Sequence, residues 1–191
     1  MDRKALIVLV SLALAGCGSN LFQPTNTATM PLNAYGGPVL NQNQAIALSS
    51  FALKDPANTA GNPERAARAI AAEDWLAGQT ILYGNYNGWA PYGQVSWSLF
   101  REQVRAAIGV APDAPSQELV NRLLAAADDL KAGKTDAAKA QLTSPIFTRG
   151  PDATLAALTN LPPLSYRDWA FADLNRNTNR SNGVSPMEFM R

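Results

Sequence analysis

The stretch from Tyr83 to Trp97, YGNYNGWAPYGQVSW, sets five large aromatic side chains among Gly, Asn and Gln. Flat aromatic faces beside amide groups suit sugars, whose C–H faces stack while their hydroxyls bond the amides. Tyr86, Trp89, Tyr92 and Trp97 are therefore candidate glycan-binding residues. The alternative is an ordered Gly/Pro loop whose aromatics plug the ends of a helix bundle. Just upstream stand two adjacent carboxylates, Glu73 and Asp74. A carboxylate pair near a glycan groove would fit acid/base hydrolysis. Neighbouring residues on a helix diverge by about 100°, however, and do not face one substrate together. They flank the stripe Ile70/Ala77/Ile81, so one of them is expected to be partly buried with a raised pKa; a solvated face, or a salt bridge with Arg68 or Arg101, is the competing assignment. Asp128-Asp129, near the end of a helical stretch, reads as solvent-facing.

The rest of the catalytic menu is short. The 191 residues include no His and a single Cys, which removes Ser-His-Asp and Cys-His catalysis, His- or thiolate-ligated zinc and internal disulfides. The expected activity is non-enzymatic. A net charge of +1 without a basic run argues against nucleic acid as a partner. With 47% hydrophobic and 16% charged residues the composition is that of a weakly charged globular protein.

The one cysteine has its own context. Asp2-Arg3-Lys4 precedes the apolar run Ala5 to Ala15, too short to span a bilayer but right for a signal h-region. The run ends in Leu14-Ala15-Gly16-Cys17, which resembles the lipobox of bacterial lipoproteins at all four positions. That resemblance implies cleavage before Cys17, a diacylglycerol on its sulfur and commonly a further acyl chain, palmitate for example, on its amine. Two or three chains anchor stably where one is marginal. Residues 1–16 are then the signal peptide and Cys17 the lipidation site. Loss of Asp2, Arg3 and Lys4 takes the 16 basic and 15 acidic residues to 14 of each, so membrane attachment would rest on lipid and not on charge. Gly18 follows the cysteine in place of Asp; by resemblance to enterobacterial lipoproteins this implies sorting to the outer membrane, facing the periplasm, in a Gram-negative host.

A second resemblance lies at the other end. Asn177 to Phe189 is similar to a degenerate EF-hand calcium loop, with oxygen side chains at loop positions 1, 3 and 5 and an acid at 12. It implies Asn177, Asn179, Ser181 and Glu188 as ligands of a calcium ion. The loop departs from the pattern at position 6, where Asn182 replaces Gly, and Glu188 is its only carboxylate. The plainer reading is a polar terminal tail over 177–191 that needs no cofactor.

These residues need elements to position them, and the pattern throughout is helical. From Gly18 to Leu53 there is no charged residue. Residues 17–40, rich in Asn, Thr, Gln, Pro and Gly, read as the lipidated cysteine and a flexible tether. The helical domain spans 41–176. Asn41 to Leu53 predicts a first helix with Ala47, Leu48 and Phe51 on one side. Asn62-Pro63-Glu64 supplies an N-cap, a proline at N1 and a first-turn acid for a helix to about Tyr83. That helix is apolar on two sides, as expected of one buried between neighbours. Further helices are predicted over about 98–108, from a Ser116 cap to Gly133, from a Thr135 cap to about Leu142, from Gly150 through Leu158, and from Ser165 through Leu174. The pair 116–132 and 135–142 faintly resembles one tetratricopeptide unit, but no second copy follows, and an ordinary helical hairpin suffices. No segment alternates with period 2. The expectation is an all-α single bundle of about five to six helices behind a flexible tether, an envelope lipoprotein held by its lipid that binds or scaffolds an envelope protein or glycan.

Overall fold

In the computed structural model of the chain the described residues are 27–35, 37, 42–83 and 91–172. Of these, 67% are helical and none lies in a strand, so the chain is an all-α bundle. Six α-helices follow in order: α1 (Gln42–Lys54), α2 (Pro63–Tyr83), α3 (Pro91–Ala107), α4 (Ser116–Lys131), α5 (Thr135–Gln141) and α6 (Gly150–Thr159), with a 3-10 turn at Pro56–Asn58 between α1 and α2. A further helical segment covers 167–172.

The centre is α2. Asn62 caps it as its sequence predicts, the Arg65 backbone N–H donating to Asn62 Oδ1 at 2.9 Å. Its alanines Ala66, Ala67, Ala69, Ala71, Ala72 and Ala77 are all buried, and small side chains let α1, α3, α4 and α6 pack around it. Leu119, Leu123 and Ala126 of α4 and Phe100, Val104 and Ile108 at α3 complete the core.

Several local expectations are corrected. The helix predicted over 98–108 begins earlier, at Pro91, the N1 position where proline is favoured. Ser116 does not cap α4: Pro115 holds that position, and the Ser116 hydroxyl is committed to Asp74 instead. Likewise Lys134, not Thr135, occupies the cap of α5. Near the C-terminus helix begins at 167 instead of following directly from Ser165, and the Asp168 carboxylate accepts from Arg167 Nε at 2.9 Å.

The entry to the bundle differs as well. Residues 27–35, assigned to the tether, lie against the body because their backbone finds partners there. Gln117 of α4 accepts from the Thr29 N–H at 2.7 Å and donates to the Thr29 carbonyl at 3.0 Å, and Ala28 is buried. The Tyr35 hydroxyl donates to the Arg68 carbonyl at 2.7 Å, while Arg68 returns a bond to the Ala34 carbonyl at 2.8 Å. Burial pushes the Tyr35 phenol above its ordinary pKa, with the Arg68 charge opposing.

Helix α1 docks on α2 with Ala45, Ser49, Ala52 and Leu53, all buried. These recur at i, i+4, i+7 and i+8, one face of a helix. It is roughly opposite the face that carries Ala47, Leu48 and Phe51. The small residues win the contact because α2 is itself lined with alanine, and close approach of two such faces excludes a bulky ring. Phe51 is left 62% exposed and Leu48 40%.

Candidate functional site

Two features stand out among the described residues, a buried cluster of charges and an open apolar groove. The cluster is built on α2. Glu73 and Asp74 are both fully buried, so the expectation that one of them is partly buried understates the case. Asp74 receives two arginines from successive turns of α3. Arg105 donates from Nε to Asp74 Oδ2 at 2.6 Å and from Nη2 to Oδ1 at 3.1 Å. Arg101 does the same at 3.2 and 3.1 Å. Ser116, the first residue of α4, donates from Oγ to Asp74 Oδ1 at 2.6 Å and accepts from both arginines. Arg105 Nη1 reaches on to the Ala114 carbonyl at 2.9 Å. One carboxylate thus ties three helices together. Burial pushes its pKa up, but the charges of Arg101 and Arg105 and the bonds from Arg105 and Ser116 outweigh this and hold it below the usual carboxylate range.

Sequence reading offered Arg68 or Arg101 as the partner. Arg101 is one; Arg68 turns instead to Glu64 and to Asp128, the latter at 2.6 Å. Asp128 is exposed, as expected, yet carries this bond. Nothing local in the sequence marks Arg105, since it lies 31 residues from Asp74.

Glu73 is a different case. Neither carboxylate oxygen has a hydrogen-bond partner. Burial, and then the neighbouring Asp74 charge, push its pKa well above the usual range, with Arg101 and Arg105 only partly opposing. Its surroundings thus favour the protonated, neutral form over the charged one. With both carboxylates sealed in the interior, the pair presents no face to a glycan.

Of the aromatic candidates, Trp97 is fully buried and packs edge-on against Phe100 and Phe171, with ring centroids 5.8 and 5.4 Å away. Phe100 and Phe171 close the triangle at 5.5 Å. Trp97 is thus a core residue and not a stacking platform; its ring joins α3 to the segment 167–172. Tyr86, Trp89 and the side chain of Tyr92 lie outside the described residues. So do Cys17 and the calcium-loop candidates Asn177, Asn179, Ser181 and Glu188.

The groove is what sequence reading missed. It encloses about 500 Å³ between α1, α2 and the loop around Tyr35, within the range of ligand-sized pockets. Ala47, Leu48 and Phe51 form one wall, Ala69 and the Arg68 stem the other, and Tyr35 one end. The stripe Ala47/Leu48/Phe51 was the only available signal, and here it faces a void instead of the core. Glu64 and Arg65 stand on the α2 side.

Among the described residues no helix is long and apolar enough to cross a membrane. Comparison with known protein families, with curated proteins and with solved structures finds no match for this chain.

Proposed function

We propose that the chain is a membrane-anchored envelope lipoprotein whose helical body binds or scaffolds another envelope component without catalysing a reaction. The observation that carries this is the run Leu14-Ala15-Gly16-Cys17 at the end of a short apolar h-region. Absence of His and of any second Cys supports a non-enzymatic role, as does the sealing of Glu73 and Asp74 inside the bundle. The α1–α2 groove supports a binding role: it sets Leu48 and Phe51 in water at a concave surface.

The test is chemical. Cells making the full chain are fed tritiated palmitate and fractionated. The protein is expected to carry the label and to sediment with membranes, and Cys17→Ala is expected to lose the label and leave the membrane fraction. Label retained by Cys17→Ala after denaturation and solvent extraction, which remove unattached palmitate, or an unprocessed N-terminus on the wild-type protein, overturns the proposal.

A further inference from the structure

We infer that the α1–α2 groove holds a single acyl chain with an anionic head, a long-chain fatty acid, its carboxylate at Arg65. The inference rests on reading the groove as the binding surface and adds the ligand's chemistry.

Charge singles out the occupant. Three ionised side chains border the groove, and they are not equivalent. Arg68 is neutralised from two sides, by Glu64 and by Asp128. Arg65, also bordering it, is exposed and bonds only neutral oxygen, donating from Nη1 to the Asn58 carbonyl at 2.9 Å. No carboxylate of the described residues reaches it. An apolar trough with such a guanidinium in its lining matches an amphiphile with a long tail and a small anionic head. A neutral apolar ligand would draw nothing from the Arg65 charge, and a sugar would meet a single amide, Gln44, along a lining that is otherwise mostly apolar or charged.

The walls fit a chain more than a ring system. Ala47, Ala52 and Ala69 add little bulk to the lining and keep it smooth, while Phe51 and Leu48 are exposed along it. Burying a tail there would cover the large apolar side chains that α1 otherwise shows to water. The groove adjoins the segment that leads back toward Cys17, since Tyr35 lines it.

The test uses the full-length mature protein in lipid nanodiscs with a photoreactive, diazirine-bearing fatty acid, followed by peptide mapping. Label is expected on the peptides of α1 and α2 that line the groove. Ala47→Trp fills the trough from its exposed side and is expected to abolish that label. Phe51→Asp, at a side chain already in water, sets a carboxylate in the lining and is expected to do the same while the helical circular dichroism is unchanged. Arg65→Gln is expected to weaken the acid by about tenfold and to leave the corresponding long-chain alcohol unaffected. Label spread evenly over the surface, or label on the groove that survives both Ala47→Trp and Phe51→Asp, overturns the inference. So does a stable dimer that Phe51→Asp dissociates and that takes no fatty acid, since a second copy then fills the groove. The anchor is separable: wild-type protein that carries no covalent palmitate yet is labelled in the groove would sink the lipoprotein reading alone, and palmitoylated protein with an unlabelled groove would sink this inference alone.

Discussion

Replacing Glu73 with Met is expected to stabilise the protein, and the reason can be worked from the interior of α2. The side chain is fully buried and both carboxylate oxygens lack a hydrogen-bond partner. An unsatisfied buried polar group costs about 1–3 kcal/mol, and Met of similar length removes that cost while filling the space. For a chain of this size each kcal/mol moves the melting temperature by about 2–4 °C. The acid adds a pH dependence with a definite sign. Its folded pKa lies well above the ordinary 4.5, through burial first and the Asp74 charge second. Its contribution is therefore fully present below 4.5 and is lost as pH rises toward the folded value, at up to about 1.4 kcal/mol per pH unit. Asp74 acts in the opposite sense. Its folded pKa is depressed below 3.8 by Arg101 and Arg105 against the burial that would raise it, so its contribution is present above 3.8 and is lost as pH falls through the lowered value. The assay is urea unfolding, followed by far-ultraviolet circular dichroism, at intervals from pH 5 to pH 8. The wild-type midpoint is expected to fall across that window. Glu73→Met is expected to be flat and higher at neutral pH, and Glu73→Gln flat without the full gain, because its amide is equally short of partners. A Glu73→Met protein less stable than wild type at pH 7, or a pH slope that persists in both variants, would refute the reasoning.

Three other perturbations have equally definite expectations. Asp74→Ala leaves two buried guanidinium groups without the carboxylate they share and should cost about 3–5 kcal/mol in urea unfolding, most of it recovered when Arg101 and Arg105 are also made Met. Trp97→Ala should cost about 3–5 kcal/mol through the cavity left between Phe100 and Phe171, without changing retention on purified peptidoglycan sacculi; a selective loss of retention at unchanged stability would restore Trp97 as a glycan contact. Gly109→Ala should cost about 1–2 kcal/mol from the left-handed backbone alone. Its φ is +76°, and the added Cβ would stand 2.8 Å from Cγ and Cδ of Arg149, displacing that side chain from the Ala106 and Ala107 carbonyls; an Ala variant as stable as wild type would contradict this.

What could be read from the sequence was whatever is decided within a turn or two. Asn62-Pro63-Glu64 announces α2 because capping is a bond between residues three apart, and the alanine-rich, two-sided apolar pattern of α2 announces its central place. Gly133 and Gly150, both at positive φ, mark helix boundaries for the same local reason. The failures are non-local. Beyond Arg101, which was a candidate partner, Asp74 finds Arg105 and Ser116 at separations of 31 and 42 residues, and no periodicity shows such a meeting. Ser116 was legible as a helix start but not as a donor to Asp74, since both uses ask for the same residue type at the same place. Residues 27–35 carry no apolar period; they are held by backbone bonds to Gln117 and Arg68, which composition does not encode. Helix α1 is the sharpest case. Its larger apolar residues gave the visible stripe, whereas the docking face was chosen by how closely two alanine surfaces can approach.

The two ends of α2 are consequently built on different principles. Toward α3 and α4 it is clamped by a carboxylate with five donated bonds, a device that breaks all at once if one partner is lost. Toward α1 it offers only small apolar contacts, and α1 meets little beyond α2 and the 3-10 turn. None of the five bonds to Asp74 involves α1, so the clamp and the α1 contact are separate devices. The buried charges hold α2, α3 and α4 in register, while the groove proposed to bind lies apart from them, between α1 and the opposite part of α2.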